Sequence, residues 1–333
     1  MKTKNLFAAS VLCLAGNFAI GAVLTVDNNP TSNAQYSSIP AAIDAANDFD
    51  TLLVQPSALD YGNIYINKPL FVIGRGHNAS FGRVWTTYIQ VESSGVVIEG
   101  IYADQNGIYI SPSHSEIVIR NCSVQSLLFA GNNSNIIITG CEIKNFSPIS
   151  QTLSNILVLN NIIDKLFQGV LVGDCETIIF KNNIILTNAA IFNSSSAFAV
   201  FTDNIFYVQG STTNFNPDEC TSCNFQNNLT YRPAGTLPLL PNSTLNNVAP
   251  TWNLNGLNSP AFNYSINYEM LSGAPATGAS DGGQVGIYGA GFNFEMNGFP
   301  VGIPRVTYTN IVNPVVFPDG EIEVDFEAEA GSN

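Results

Sequence analysis

From residue 94 one short phrase keeps returning along the chain: Ser94-Gly-Val-Val-Ile-Glu-Gly100, Ser115-Glu-Ile-Val-Ile-Arg-Asn121, Ser134-Asn-Ile-Ile-Ile-Thr-Gly140 and Ser154-Asn-Ile-Leu-Val-Leu-Asn160. Glu176-Thr-Ile-Ile-Phe-Lys-Asn182, Ala197-Phe-Ala-Val-Phe-Thr-Asp203 and Ser222-Cys-Asn-Phe-Gln-Asn227 continue the series at nearly the same step. A unit of about 20 residues is too short to bury its own apolar face and is stable only when stacked on copies of itself. Its β-branched runs, broken by Gly, Asn and Ser, disfavour helix and favour short strands. One phrase per coil of a parallel β-solenoid is the arrangement that satisfies both.

Two columns refine this reading. Each run is followed by Gly100, Asn121, Gly140, Asn160, Asn182, Asp203 or Asn227, the residue types that tolerate a left-handed backbone at a tight turn. The next column holds Ile101, Cys122, Cys141, Asn161, Asn183, Asn204 and Asn228. Successive asparagines there can pass amide hydrogen bonds from coil to coil at the strand spacing of about 4.8 Å, which satisfies their buried polar groups. Cys122 and Cys141 share that column, either cross-linked or as stacked free thiols. At the N-terminal end, Ile39, Ala42, Ile43 and Ala46 follow helical spacing behind Ser37 or Ser38, with Pro40 in the first turn. These predict a short amphipathic helix lidding the first coil, Thr51-Leu-Leu-Val54.

Tyr36-Ser-Ser-Ile-Pro-Ala-Ala-Ile-Asp-Ala-Ala46, Asp50-Thr-Leu-Leu-Val54 and Asn67-Lys-Pro-Leu-Phe-Val-Ile-Gly74, with the asparagine column, are similar to the opening and the ladder of right-handed parallel β-helix proteins of the pectin-lyase-like superfamily. The resemblance covers roughly residues 25 to 236. It implies an all-β, single-stranded right-handed parallel β-helix with a short N-terminal capping helix and an irregular C-terminal extension. Ser259-Pro-Ala-Phe262 and Gly283-Gln-Val-Gly-Ile-Tyr-Gly289 resemble a closing segment of secreted bacterial β-helix proteins, which implies a bacterial envelope setting. Activity does not follow from the fold, because the superfamily holds lyases, hydrolases, esterases, accessory proteins and adhesins.

The organisation expected is a signal peptide over residues 1–22, a capped β-helix over 23–236 and an extension over 237–333. Lys2 and Lys4 precede the apolar stretch Leu6 to Leu14 and the small residues up to Ala22, the order of a secretory signal. A lipid-modified Cys13 is the weaker reading, because the bulky Leu12 precedes it. No later run approaches the roughly 18 apolar residues of a bilayer span. With 11 Lys and Arg against 25 Asp and Glu, the formal net charge is −14. That balance excludes a basic nucleic-acid binder, while 45% apolar residues exclude wholesale disorder. Cys220-Thr-Ser-Cys223 reads as a loop staple or two unpaired thiols rather than a zinc site.

Enzymes of the resembled superfamily carry their chemistry on the outer face of one strand column. Strand alternation across Asn63–Ile66, Gly107–Ile110, 127–130, 169–172 and 190–193 turns Tyr65, Tyr109, Phe129, Leu171 and Phe192 outward. None is an acid or base, no Asp-Asp pair occurs in the chain, and no catalytic constellation is identified. Tyr65, Tyr109, Phe129 and Phe192 are therefore candidate binding residues, able to stack on the sugars of an extracellular polysaccharide or to lie under the C-terminal segment. A polysaccharide lyase or glycoside hydrolase, and a non-catalytic structural or adhesin protein, are the alternatives.

Other groups receive plainer readings. Glu99 and Arg120 are either a proton-transfer pair or a surface ion pair. Lys144, Asp164 and Lys165 are read as surface charges, and His114 as an exposed turn residue. His77, Arg75 and Arg83 form a locally basic spot in a Gly-rich loop. Glu321-Ile-Glu-Val-Asp-Phe-Glu-Ala-Glu-Ala330 alternates as a strand with Ile322, Val324 and Phe326 inward and a carboxylate row outward. Calcium on that row is a weaker reading than a solvated acidic face, and no cofactor or metal site is assigned. The oligomeric state is left open.

Overall fold

The computed structural model describes residues 21–148, 153–166, 178–187, 198–209, 215–251, 262–312, 321 and 323–330. The signal segment, Leu171, Cys175, Phe192 and Ile322 lie outside the described residues. The architecture is the expected parallel β-helix, and among the described residues it is all-β apart from one α-helix. Ten strands stack in parallel in the first sheet, from Val23–Val26 and Thr51–Val54 to Ala199–Thr202 and Asn224–Gln226. A second, 11-stranded sheet takes the return segments of each coil, so neighbours in space are one coil apart in sequence. The repeating phrases are in register, with Val118, Ile137, Leu157, Ile179 and Val200 paired rung by rung.

The turn columns behave as their residue types require. Gly100, Asn121, Gly140, Asn160, Asn182, Asp203 and Asn227 all have φ between 52° and 66°, a backbone state that costs most side chains energy and that Gly, Asn and Asp adopt readily. In the following column the side-chain amide of Asn161 donates to Asn183 at 3.0 Å, Asn183 to Asn204 at 2.9 Å and Asn204 to Asn228 at 3.0 Å. The remaining donor of each reaches a main-chain carbonyl, such as Ile138 at 3.0 Å and Val158 at 2.8 Å. All four asparagines are fully buried, and the ladder leaves their amides satisfied. Cys122 and Cys141 continue the column as free thiols, with the Cys122 N–H donating to the Cys141 Sγ at 3.5 Å. Cys220 and Cys223 are joined in a disulfide.

Inside the coils, Phe180 stacks on Phe201 at 4.8 Å and Phe201 on Phe225 at 5.3 Å, offset-ring distances that fill a core well. The helix α1, Ile39–Ala45, is capped by the Ser38 hydroxyl, which accepts from the Ala41 N–H, and carries Pro in its first turn. It buries Ile39, Ala42 and Ile43. That closes the open core at the first coils.

Residues 262–301 form a strap that runs back along the solenoid, against the order of the coils. Ser280 meets Asp203, Ile287 and Gly289 meet Asn160, Phe299 meets Asn121, and Val301 meets Glu99. Under the strap lies a second core, where Ile162, Ile184, Ile205 and Leu229 of the solenoid's outer face pack with Ile266, Tyr268, Val285 and Ile287. Beyond it, Pro304–Ile311 and Val324–Ala330 pair as an antiparallel hairpin. This corrects the expectation for the acidic strand. Val324 and Phe326 are 44% and 67% exposed rather than inward, because among the described residues the hairpin is a two-stranded sheet with no further layer on that face.

Candidate functional site

The open flank of the second sheet is built by Asn63–Ile66, Trp85–Val91 and Tyr102–Ile110. In Asn63–Ile66 the burial alternates, with Ile64 and Ile66 inward and Asn63 and Tyr65 outward. The register sets Tyr65 beside Gln90 and Gln90 beside Tyr109, while Tyr88 lies beside Asn63. Tyr65 is 49% exposed, and Tyr88 and Tyr109 are half-buried. The Tyr65 and Tyr88 rings meet edge-on at 6.4 Å.

A polar network links these rings. The Tyr88 hydroxyl donates to the Gln90 side chain at 3.2 Å, and the Gln90 amide donates to Glu92 at 2.7 Å and to the Ser111 hydroxyl at 3.2 Å. Burial raises the Tyr88 phenol above its ordinary value, helped by Tyr109, Tyr65 and the Glu92 charge, so it remains a neutral donor at physiological pH. The surface therefore combines aromatic faces with an amide, a hydroxyl and a carboxylate held in fixed orientation.

Of the residues expected in this column, Tyr65 and Tyr109 lie on the outer face and Phe192 is outside the described residues. Phe129 is a correction. It is fully buried, paired in register with the inward Ile110, and packs on Phe146 at 5.5 Å. Leu128 is the outward neighbour of Tyr109. The run Leu127-Leu-Phe129 is apolar throughout, so alternation alone carries no phase marker there. Tyr88 and Gln90 escaped the sequence reading because the loop before them interrupts the repeat. The alternation in Trp85-Thr-Thr-Tyr-Ile-Gln-Val91 was the available signal.

Buried acidic groups, by contrast, meet the strap rather than this flank. Glu99 is fully buried, its Oε2 lying 2.7 Å from Arg120, and its Oε1 accepts the Val301 N–H at 2.8 Å and the Asn121 amide at 3.3 Å. It is a clamp for the strap rather than half of a surface pair. Asp203 accepts from the Ser280 N–H at 2.7 Å and its hydroxyl at 2.6 Å. Asp164, expected at the surface, is partly covered. Burial foremost, then the nearby Glu142 charge, pushes its carboxyl up to about 7. Glu142 is also raised by burial, and the Ser123 hydroxyl donates to it.

His77 is likewise corrected from basic spot to buried neutral ring. Its Nδ1 lies 2.9 Å from the Tyr264 hydroxyl, and burial pulls its pKa down to about 3. Gly298 packs so tightly on it that a Cβ there would fall 2.0 Å from the ring. Arg83 lies 5.1 Å from the Trp85 ring centroid and 4.2 Å from that of Tyr102, beside a groove of about 390 Å³ lined by Asn29, Ser57, Arg83 and Trp85. Among the described residues no group of three His, Cys, Asp or Glu side chains could hold a metal ion. No described helix is long and apolar enough to cross a membrane.

Among solved structures, the chain is similar to a pectin methylesterase from Aspergillus niger in a penultimately deglycosylated form, with 12% sequence identity and a TM-score of 0.36. The alignment covers 63% of this chain and 84% of the esterase chain. No family model matches the chain, and no curated protein matches it.

Proposed function

We propose that this protein is exported and binds extracellular polysaccharide along the flank carrying Tyr65, Tyr88 and Tyr109, without itself cleaving it. The supporting observation is the partial exposure of these three tyrosines on neighbouring coils, interleaved with Gln90 and Glu92. Tyr65 and Tyr109 stand two coils apart, about 9–10 Å at the strand spacing, a separation suited to alternate sugar units of an extended glycan. Aromatic faces stack on the C–H faces of sugar rings, and the amide and carboxylate hydrogen-bond their hydroxyls. A disulfide between Cys220 and Cys223 suits an oxidising compartment.

The test is a glycan array followed by affinity measurement on the best ligand. Tyr65→Ala and Tyr109→Ala are each expected to weaken binding about 3- to 10-fold, the loss of one ring contact, with unchanged circular dichroism. Retention that is indifferent to both changes, or an array blank across neutral and acidic glycans, overturns the reading in favour of a structural role. Unsaturated or newly reducing products from pectins or glycosaminoglycans would replace it with an enzymatic one.

A further inference from the structure

Most of the described cations have an acceptor beside them. Arg120, Lys181 and Arg305 pair with Glu99, Asp203 and Glu329. Lys68 donates to the Ile43 and Ala46 carbonyls at the end of α1, at 2.9 and 2.8 Å, and Lys144 and Lys165 lie within electrostatic reach of Asp164. Arg75 and Arg83 differ. Among the described residues no carboxylate pairs with either, and no acceptor takes their side-chain N–H groups. Both flank one loop. Arg83 lines the groove of about 390 Å³ with Trp85 and Ser57, Arg75 lines a second of about 210 Å³, and Pro56 belongs to both.

The Arg83 guanidinium is held in place without its donors being used. It lies over the rings of Tyr102 and Trp85, which are neighbours in register on adjacent strands. Such stacking engages the flat face of the group and leaves its in-plane N–H fork for an acceptor. The groove walls are fastened as well. The Ser57 N–H donates to the Arg83 carbonyl at 3.1 Å, the Ser57 hydroxyl to Asn29 at 3.4 Å and the Asn29 amide to the Pro56 carbonyl at 3.2 Å. The neighbouring carboxylates are taken up elsewhere, Asp27 by the Asn29 N–H, Asp60 by the Gly62 N–H and Asp104 by the Tyr102 hydroxyl.

We propose that Arg83 receives an anionic substituent, a carboxylate or a sulfate ester, of the polysaccharide held on the tyrosine flank. The inference rests on that reading of the flank and adds its selectivity. Trp85 shares the strand Trp85–Val91 with Tyr88 and Gln90, and three residues of strand span roughly 10 Å, so a glycan lying on the flank reaches the groove within a few units. The planar fork matches two oxygens of a carboxylate or sulfate, and the Trp85 ring offers a stacking face for the sugar that bears it. The groove volume falls within the range of ligand sites. The net charge of −14 does not forbid an anion there. At about 0.15 M salt charges more than about 8 Å away are screened, so Arg83 and Arg75 dominate the local field.

A glycan array printed with matched pairs tests it: xylo-oligosaccharides bearing a glucuronate beside their carboxyl-reduced forms, and sulfated galactan oligosaccharides beside desulfated ones. Wild type is expected to bind the charged member of a pair about 10-fold more tightly, and the pair that responds distinguishes carboxylate from sulfate. Arg83→Gln removes the charge. Ser57→Asp sets a negative charge in the groove while keeping an acceptor for the Leu59 N–H. Each should abolish the preference, with affinity for the uncharged members and far-UV circular dichroism as in wild type, whereas Tyr109→Ala should weaken both members alike. Equal binding of the two members by wild type overturns the inference and leaves the polysaccharide reading standing. So does a preference that survives both groove substitutions, or an Arg83→Gln loss that is equal for charged and uncharged members. A blank array overturns the inference together with the reading beneath it.

Discussion

Asp164 shows how a single side chain changes meaning when the chain folds back on it. As a residue in Asn161-Ile-Ile-Asp164 it reads as a solvated acid, yet its carboxyl is lifted to about 7, chiefly by burial, and its Oδ1 is buried without a partner. A carboxyl whose folded pKa exceeds its unfolded value makes the native state bind more protons between the two. Stability from this group is therefore fully present below its unfolded value of about 4 and is lost as pH rises through about 7. His77 acts in the opposite sense, since its lowered pKa costs stability as pH falls below its unfolded value of 6.5. Comparing Asp164→Asn with wild type isolates the first effect. The variant should gain little at pH 4 and on the order of 1–2 kcal/mol at pH 8, allowing for solvent screening on the group's open side. Urea midpoints across that range measure it, and a gain confined to low pH would show the assignment to be wrong.

At the level of elements, the turn column does two jobs with one set of residues. Asn121, Asn160 and Asp203 hold a left-handed backbone, and the same side chains reach outward to bind the strap's main chain. Because Asn121, Asn160 and Asp203 stand at the same turn of their coils, with side-chain-free Gly140 between the first two, the strap is fastened at points spaced along the solenoid. The attachment is local, so it can be loosened locally. Asp203→Gly keeps the backbone state available while removing the acceptor for Ser280. Hydrogen bonds to a charged group contribute roughly 1.5–3 kcal/mol, so amide exchange over residues 280–289 should accelerate about 10- to 100-fold. The strands Ile178–Lys181 and Ile205–Val208 should keep their protection. Equal acceleration in both regions would mean that strap and solenoid open as one unit.

For the whole molecule, the dominant global term is its charge. Among the described residues the ion pairs are Glu99–Arg120, Lys181–Asp203 and Arg305–Glu329, few for a net charge of −14. Self-repulsion should outweigh what screening removes from these pairs. Raising sodium chloride from about 0.02 M to 0.3 M, which shortens the screening length to well under 10 Å, is expected to raise the melting temperature by a few degrees. A fall would place the balance with the attractive pairs. The same scale separates what could be read in advance from what could not. The sequence by itself determined the coils, the left-handed turn column, the asparagine ladder and the capping helix at Ile39–Ala45, because each is a local preference repeated at a constant step. The inward turn of Phe129 was hidden because an all-apolar run has no phase. The burial of Glu99, Asp164 and His77, the strap's path and the exposed hairpin faces were decided only by the tertiary structure. They depend on where the last seventy residues lie against coils more than a hundred positions earlier, and no local pattern encodes such a contact.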